Sequence, residues 1–347
     1  MSGVSNNKAS NNHLDSLVLL RGVAVLLVCF CHFGFPLVDN FPFSSLFKLF
    51  ERYGLYGVHV FFIISGFIIP FSLFKGNYQL HNYFQFLYKR LVRLHPPYLA
   101  ALVFTLCIMY ASYSVRHLPF PEDNASIIKS IFYIHAPADN PVFWTLLVEC
   151  QYYVFFGVFY IVLMNRTLVA YFIIIPILLF LCQTVARPYL LISSYLVFFF
   201  VGNIGYMIYT NNGNKLTNFI ALGGVIMYIF LQYDLATLVF SVSTIFFILL
   251  FNKPVSGLFI LFGKISYSIY LLHFPLGVKL INFMKPKINP AYNLVLFAAT
   301  LLVVFAVSWV FYKVFEEFSE RLSKKIKYKP ALISFQQTDP KRVTVPF

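Results

Sequence analysis

Charge is scarce in this sequence, and negative charge is scarcest: charged residues fill 11% of 347 positions, with 12 acids against 26 Lys and Arg. A chain of this length that is 60% hydrophobic and 20% aromatic is not an ordinary soluble domain. A cysteine framework is missing too. All five Cys (29, 31, 107, 150 and 182) fall inside apolar runs, so no extracellular disulfide scaffold is indicated and they read as packing residues. Cys29 and His32 share a helix face, but two soft ligands without a third do not make a metal site. No repeat of 20–50 residues, low-complexity tract or second domain is evident. The first 13 residues are polar and have no apolar core, so they are expected to be a tail, and the first apolar run the targeting signal. The formal charge of +14 flanks apolar runs and does not stripe a soluble surface. That argues against nucleic acid and for a cytoplasmic membrane face, or an anionic ligand there, as its partner.

What the sequence has in abundance is long apolar runs. Ten candidate spans lie at roughly 14–35, 55–74, 96–114, 142–164, 168–186, 189–209, 216–232, 235–251, 266–284 and 293–315, near the length a helix needs to cross a bilayer. The expected fold is therefore all-α, a polytopic integral membrane protein with about ten transmembrane helices. With the N-terminus inside, the Lys and Arg residues split 17 inside to 8 outside, which favours both termini in the cytoplasm. Lys279, Lys285 and Lys287 run against that asymmetry, because they cluster on the side read as external. The expected organisation is a cytoplasmic tail over 1–13, a membrane domain over 14–317 and a basic cytoplasmic tail over 318–347. The segment 115–141 is the longest external loop and reads as irregular and polar.

Three stretches carry unusual residues. In "LLRGVAVLLVCFCHFGF", Arg21 and His32 are eleven residues apart, which puts them on one helix face about 16 Å apart along the axis. Ionisable groups at bilayer depth cost roughly 2.5–3.5 kcal/mol on insertion scales and usually face a bundle interior or a wet cavity. In "NYFQFLYKRLVRLHPPYL", Arg90 and Arg93 are helix neighbours beside Lys89. They suit bidentate phosphate binding, or they anchor the helix to lipid head groups. The pair Pro96–Pro97 is expected to stop that helix. In "NPVFWTLLVECQYYVFFGVF", Trp144 reads as an outer interfacial anchor and Glu149 lies about 7–8 Å deeper, a depth similar to that of His32. Glu149 is either part of a site with His32 or a bundle salt bridge. His59 and His273 either line a cavity or bond to neighbouring helices.

In order along the chain, Arg-x10-His, "GVHVFFIISGF", Arg-x-x-Arg with "LHPPY", "FWTLLVECQYY" and "GKISYSIYLLHFP" resemble the membrane acyltransferase family called acyltransferase family three. The resemblance covers nearly the whole chain. It implies transfer of an acyl group, usually acetyl from acetyl-CoA, to carbohydrates outside a bacterial cytoplasmic membrane, such as O-antigens, capsules or exopolysaccharides. Arg21 and His32 match the family's first motif, Arg90 and Arg93 its Arg-x-x-Arg, and Ser65, Gly66 and Phe67 its Ser-Gly-Phe. Trp144 and Glu149 match the Trp and first Glu of Trp-Ser-x-x-x-Glu-Glu, with Thr145 replacing the Ser and Cys150 the second Glu. Where many relatives carry Asp three residues before the Arg, this chain has Val18. Asp15 is not assigned that role, and reads as an N-terminal helix charge. His59 stands where relatives often have Asp.

The resemblance implies acyl-CoA as donor substrate with no permanently bound cofactor and no metal. Arg21, Arg90 and Arg93 would hold the donor, and His32 would act as base supported by Glu149. Ser65, His59, Trp144 and His273 are the candidates to line the cavity. The expected partners are acyl-CoA, an extracytoplasmic glycan or lipid-linked sugar, and membrane lipids. Direct transfer and an acyl-His32 intermediate both remain open at this stage. The rival class is a transporter or flippase, since buried charges also mark substrate pathways, but the inverted internal symmetry many transporters show is not visible.

Overall fold

The computed structural model describes residues 2–39, 42–184, 187 and 189–330, with residues 2–14 described by backbone alone. The side chains of the expected N-terminal tail, and residues 331–347 of the expected basic C-terminal tail, lie outside the described residues. Among the described residues the regular structure is helical throughout. The order begins α1 (Ser2–Gly34), α2 (Ser44–Gly54), α3 (Gly57–Lys75), α4 (Tyr83–Val115), α5 (Asn124–Ile131) and α6 (Trp144–Asn165). It continues α7 (Thr167–Gln183), α8 (Leu196–Tyr209), α9 (Lys215–Gln232), α10 (Leu235–Leu250), α11 (Gly257–Lys264), α12 (Ser266–Lys287) and α13 (Pro290–Lys325).

Six of these segments are long and apolar enough to cross a membrane, or seven if α11 and α12, bent 49° against each other, form one span. The shorter apolar helices α7, α8 and α10 coincide with the other expected runs. The protein is thus a polytopic, all-helical membrane protein. Outward faces carry Val103, Phe180, Leu231 and Leu302 in the open, which suits hydrocarbon and would not suit water.

Two local readings differ from the structure. Helix α4 passes through Pro96 and Pro97 without ending. The prolines leave the Val92 and Arg93 carbonyls without a helix partner, yet the helix continues, as transmembrane helices packed against neighbours can; nearby, the Tyr267 hydroxyl donates to the Leu94 carbonyl at 3.0 Å. The 115–141 loop is not wholly irregular, because α5 forms within it. The Asp123 carboxylate accepts the Ser126 N–H at 2.7 Å as an N-cap, and hydrogen bonding to Ser126 holds the Asp123 carboxyl below the ordinary carboxylate range.

Packing is very close where α3 crosses α8. A Cβ at Gly66 would stand 2.2 Å from the Phe199 carbonyl oxygen, and one at Gly202 would stand 2.1 Å from that of Ile63. Glycine at both positions lets the two backbones touch. This gives the Ser-Gly-Phe motif a division of labour: Gly66 seats α3 on α8, Phe67 is buried beside it, and Ser65 turns the other way into a cavity. Helix α13 runs on past the expected domain edge at 317 through Lys325. The chain after it crosses the start of α4, where Gln85 donates to the Lys327 carbonyl at 2.5 Å and the Lys329 N–H donates to Asn82 at 3.0 Å.

Candidate functional site

Helix α1 reaches two separate cavities. Arg21 lines the first, of about 250 Å³, and His32 lines the second, of about 360 Å³. The first cavity gathers Arg21 with Arg90 and Arg93 from α4, Ser65 from α3 and Glu149 from α6. Five residues singled out in the sequence therefore meet in one place. The structure adds Glu316 and Glu320 from α13, which the sequence reading missed because they sit at the edge of what looked like a basic tail.

The three arginines are held in different ways. Arg93 faces Glu320 at 3.5 Å. Arg21 lies within electrostatic reach of the carboxylates of Glu316, Glu149 and Glu320 and of the Arg93 guanidinium. Arg90 forms no ion pair within 4 Å among the described residues. It donates to the Ser72 hydroxyl at 3.1 Å, sits over the rings of Phe86 and Tyr153, and keeps a buried Nε without a partner. Arg90 and Arg21 both keep donor capacity for an anion, since among the described residues neither has a carboxylate within 4 Å, whereas Arg93 is shared with Glu320.

Glu149 belongs to this cavity and not to His32. Its carboxylate accepts from the Tyr153 hydroxyl and, at 3.5 Å, from Ser65. The expectation that Glu149 supports the His32 imidazole is therefore corrected. Sequence spacing gave the two residues similar depths, but it did not say which way Glu149 faces around its own helix.

The partner of His32 is His273, with His32 Nδ1 3.1 Å from His273 Nε2. His273 Nδ1 stands 2.7 Å from the Tyr270 carbonyl. A carbonyl only accepts, so His273 carries its proton on Nδ1 and its Nε2 accepts in turn. His32 then donates from Nδ1, which leaves its Nε2 lone pair free. This is the tautomer a general base needs.

The local sequence explains how His273 is placed. Pro275 has no N–H, so the Leu271 carbonyl one turn earlier loses its helix partner. The buried Asn140 side chain donates to that carbonyl at 3.2 Å. The helix widens over His273–Val278, which turns His273 toward α1.

The remaining cavity candidates fare differently. Ser65 lines the first cavity as expected, whereas His59, Trp144 and His273 line neither of the two. His59 stacks on Phe198 at 4.2 Å between ring centres, with a buried Nδ1 left unpaired. Trp144 is half-buried and packs on Tyr195 at 4.8 Å between ring centres. Among the described residues no cluster of three or more His, Cys, Asp or Glu is arranged to hold a metal ion.

A family model described as an acyltransferase domain, that of acyltransferase family three, matches residues 14–313. The chain belongs to this family. It is a membrane acyltransferase, and both cavities lie within the matched region except for Glu316 and Glu320. Comparison with curated proteins and with solved structures returned no match. For an acyltransferase the arrangement offers an arginine-rich pocket for an anionic donor and, at the other end of α1, a histidine whose free nitrogen can take a proton.

Proposed function

We propose that this acyltransferase moves an acyl group, acetyl in the simplest case, from cytoplasmic acyl-CoA to a hydroxyl of an extracytoplasmic glycan or lipid-linked sugar in the bacterial cytoplasmic membrane. Both termini are cytoplasmic in this reading, so the arginine cavity opens toward the CoA pool. The observation that carries the proposal is that α1 takes Arg21 into one cavity and His32 into the other.

Donor phosphates bind to Arg90 and Arg21 first, because neither guanidinium has a paired carboxylate to displace. Arg93 adds charge as its contact with Glu320 loosens, while Glu149 keeps Tyr153 oriented. The pantetheine arm carries the thioester toward α12, where Tyr270 borders the donor cavity and its carbonyl fixes His273. There the acceptor hydroxyl gives its proton to His32 Nε2 as its oxygen bonds to the thioester carbonyl carbon. The C–S bond then breaks, and the departing sulfur takes the proton from His32 to leave as CoA thiol. His273 is a positioning residue, because it sets the His32 tautomer without touching the reacting atoms. The free Nε2 lone pair serves direct transfer as a base and an acyl-His32 intermediate as a nucleophile alike.

The test is transfer of labelled acetyl from acetyl-CoA to surface glycan in membranes carrying either the wild-type protein or His32→Ala. The reading requires transfer in the first and at least a ~10²-fold loss in the second.

A further inference from the structure

Around His32, the acceptor cavity has an unbalanced charge. It is lined by Lys279 and Lys285 but by a single carboxylate, Asp139. Asp139 is taken by Lys279 at 2.5 Å. Lys285 donates to the Pro36 carbonyl at 2.5 Å, and among the described residues no carboxylate lies within 4 Å of it. A carbonyl satisfies one of the three ammonium donors and none of the charge. Lys287, just beyond, lies over the Phe283 ring and also has no carboxylate.

Membrane insertion does not explain these lysines. Three of them cluster on the side read as external, against the positive-inside bias of the rest of the chain. The cavity also offers flat apolar surfaces, since Phe274 meets His32 edge-on at 5.2 Å and Phe35 is 66% exposed. An aromatic face with a neighbouring polar side chain, here Asn282, suits one face of a pyranose ring and its hydroxyls.

We infer that Lys285 makes the acceptor site selective for an acidic sugar, one carrying a carboxylate or phosphate that pairs with the ammonium while a neighbouring hydroxyl faces His32. This rests on the acyltransferase reading of the outer cavity. Lys285 acts on binding and orientation of the acceptor, and Lys279 is held in reserve by Asp139.

The test uses full-length protein in nanodiscs of neutral lipid, with p-nitrophenyl glucuronide and p-nitrophenyl glucoside as paired probes and glycerol phosphate as the lipid head-group mimic. In thermal-shift titrations the glucuronide should bind about tenfold more tightly than the glucoside, as one unscreened charge contact near a surface allows. Lys285→Gln should remove that ratio, and Lys285→Arg should keep most of it. Asp139→Asn, which frees Lys279, should enlarge it, so the inference does not depend on one variant folding. Equal binding of both glycosides, or a ratio untouched by Lys285→Gln, overturns the site. Binding of glycerol phosphate in preference to the glucuronide overturns it too, by making Lys285 a lipid contact. Acyl transfer from acetyl-CoA is read in parallel: anion preference in binding with no transfer to any acceptor would defeat the functional reading and leave the acidic-sugar site standing.

Discussion

Replacing His273 by Phe isolates the claim that His32 works through a fixed tautomer. The ring shape is nearly kept, so the buried position between α1 and α12 stays filled, while both ring nitrogens are lost. Two hydrogen bonds go with them, the 2.7 Å contact to the Tyr270 carbonyl and the 3.1 Å contact to His32. Losing an orienting partner and leaving a group unpaired costs about 1–3 kcal/mol. At about 1.4 kcal/mol per tenfold, that is a fall of roughly 5- to 150-fold in transfer rate. The loss should appear in kcat with little change in KM for acyl-CoA, since His273 is absent from the donor cavity. His273→Gln should recover part of the rate, because an amide can still accept from His32. The assay is acetyl transfer under saturating donor, with CoA affinity and thermal stability measured on the same preparation. If His273→Phe, folded and binding CoA normally, keeps activity within about twofold of wild type, the orienting role is refuted.

Other outcomes follow from the same geometry. Arg90→Ala should weaken acyl-CoA binding by roughly 10- to 150-fold, the range for a hydrogen bond to a charged group. Arg93→Ala should do less because Arg93 is shared with Glu320, and Arg90→Lys should rescue only in part; calorimetric titration with CoA decides, and equal small effects would return these arginines to lipid anchoring. Gly66→Ala should lower the melting temperature of the solubilised protein, since its Cβ would sit 2.2 Å from a backbone oxygen and overpacking costs about 1–3 kcal/mol; an unchanged melting temperature would contradict the close α3–α8 crossing. Single cysteines at Lys129 and at His81, in a background without the native five, should differ in intact cells. The first should react with an impermeant thiol reagent and the second only after the membrane is opened, and the reverse pattern would put the arginine cavity on the wrong side.

Depth along a helix was legible in the sequence, and direction around it was only partly so. Arg21 and His32 sit on one helix, so their spacing gave one helix face reaching two depths; that these open into two separate cavities came only with the fold. The arginine pair on α4 likewise follows from i, i+3 geometry. Glu149 and His32 lie on different helices, and similar depth said nothing about facing, which is why His273 and not Glu149 turned out to be the partner. The prolines misled in α4, where Pro96 and Pro97 read as a stop, because the packing of neighbouring helices that lets a transmembrane helix pass through prolines comes from far along the chain. The same long-range problem hid Asn140, whose link to the carbonyl freed by Pro275 crosses 131 residues. Glu316 and Glu320 left a faint signal, acids at a four-residue interval just before a basic stretch. The outer lysines had a clear signal in their breach of the charge asymmetry, but it became a site only when the fold brought them next to His32.

The central claim is acyl transfer to a glycan outside the membrane through His32, and mass spectrometry of surface glycans tests it most directly. Cells with the gene, without it, and without it but complemented by His32→Ala should be compared, with abundance of the variant checked in the membrane fraction. The account predicts an acyl mass increment, acetyl in the simplest case, in the first sample and its absence in the other two. An increment that persists in the deletion strain or with His32→Ala at normal abundance would contradict it.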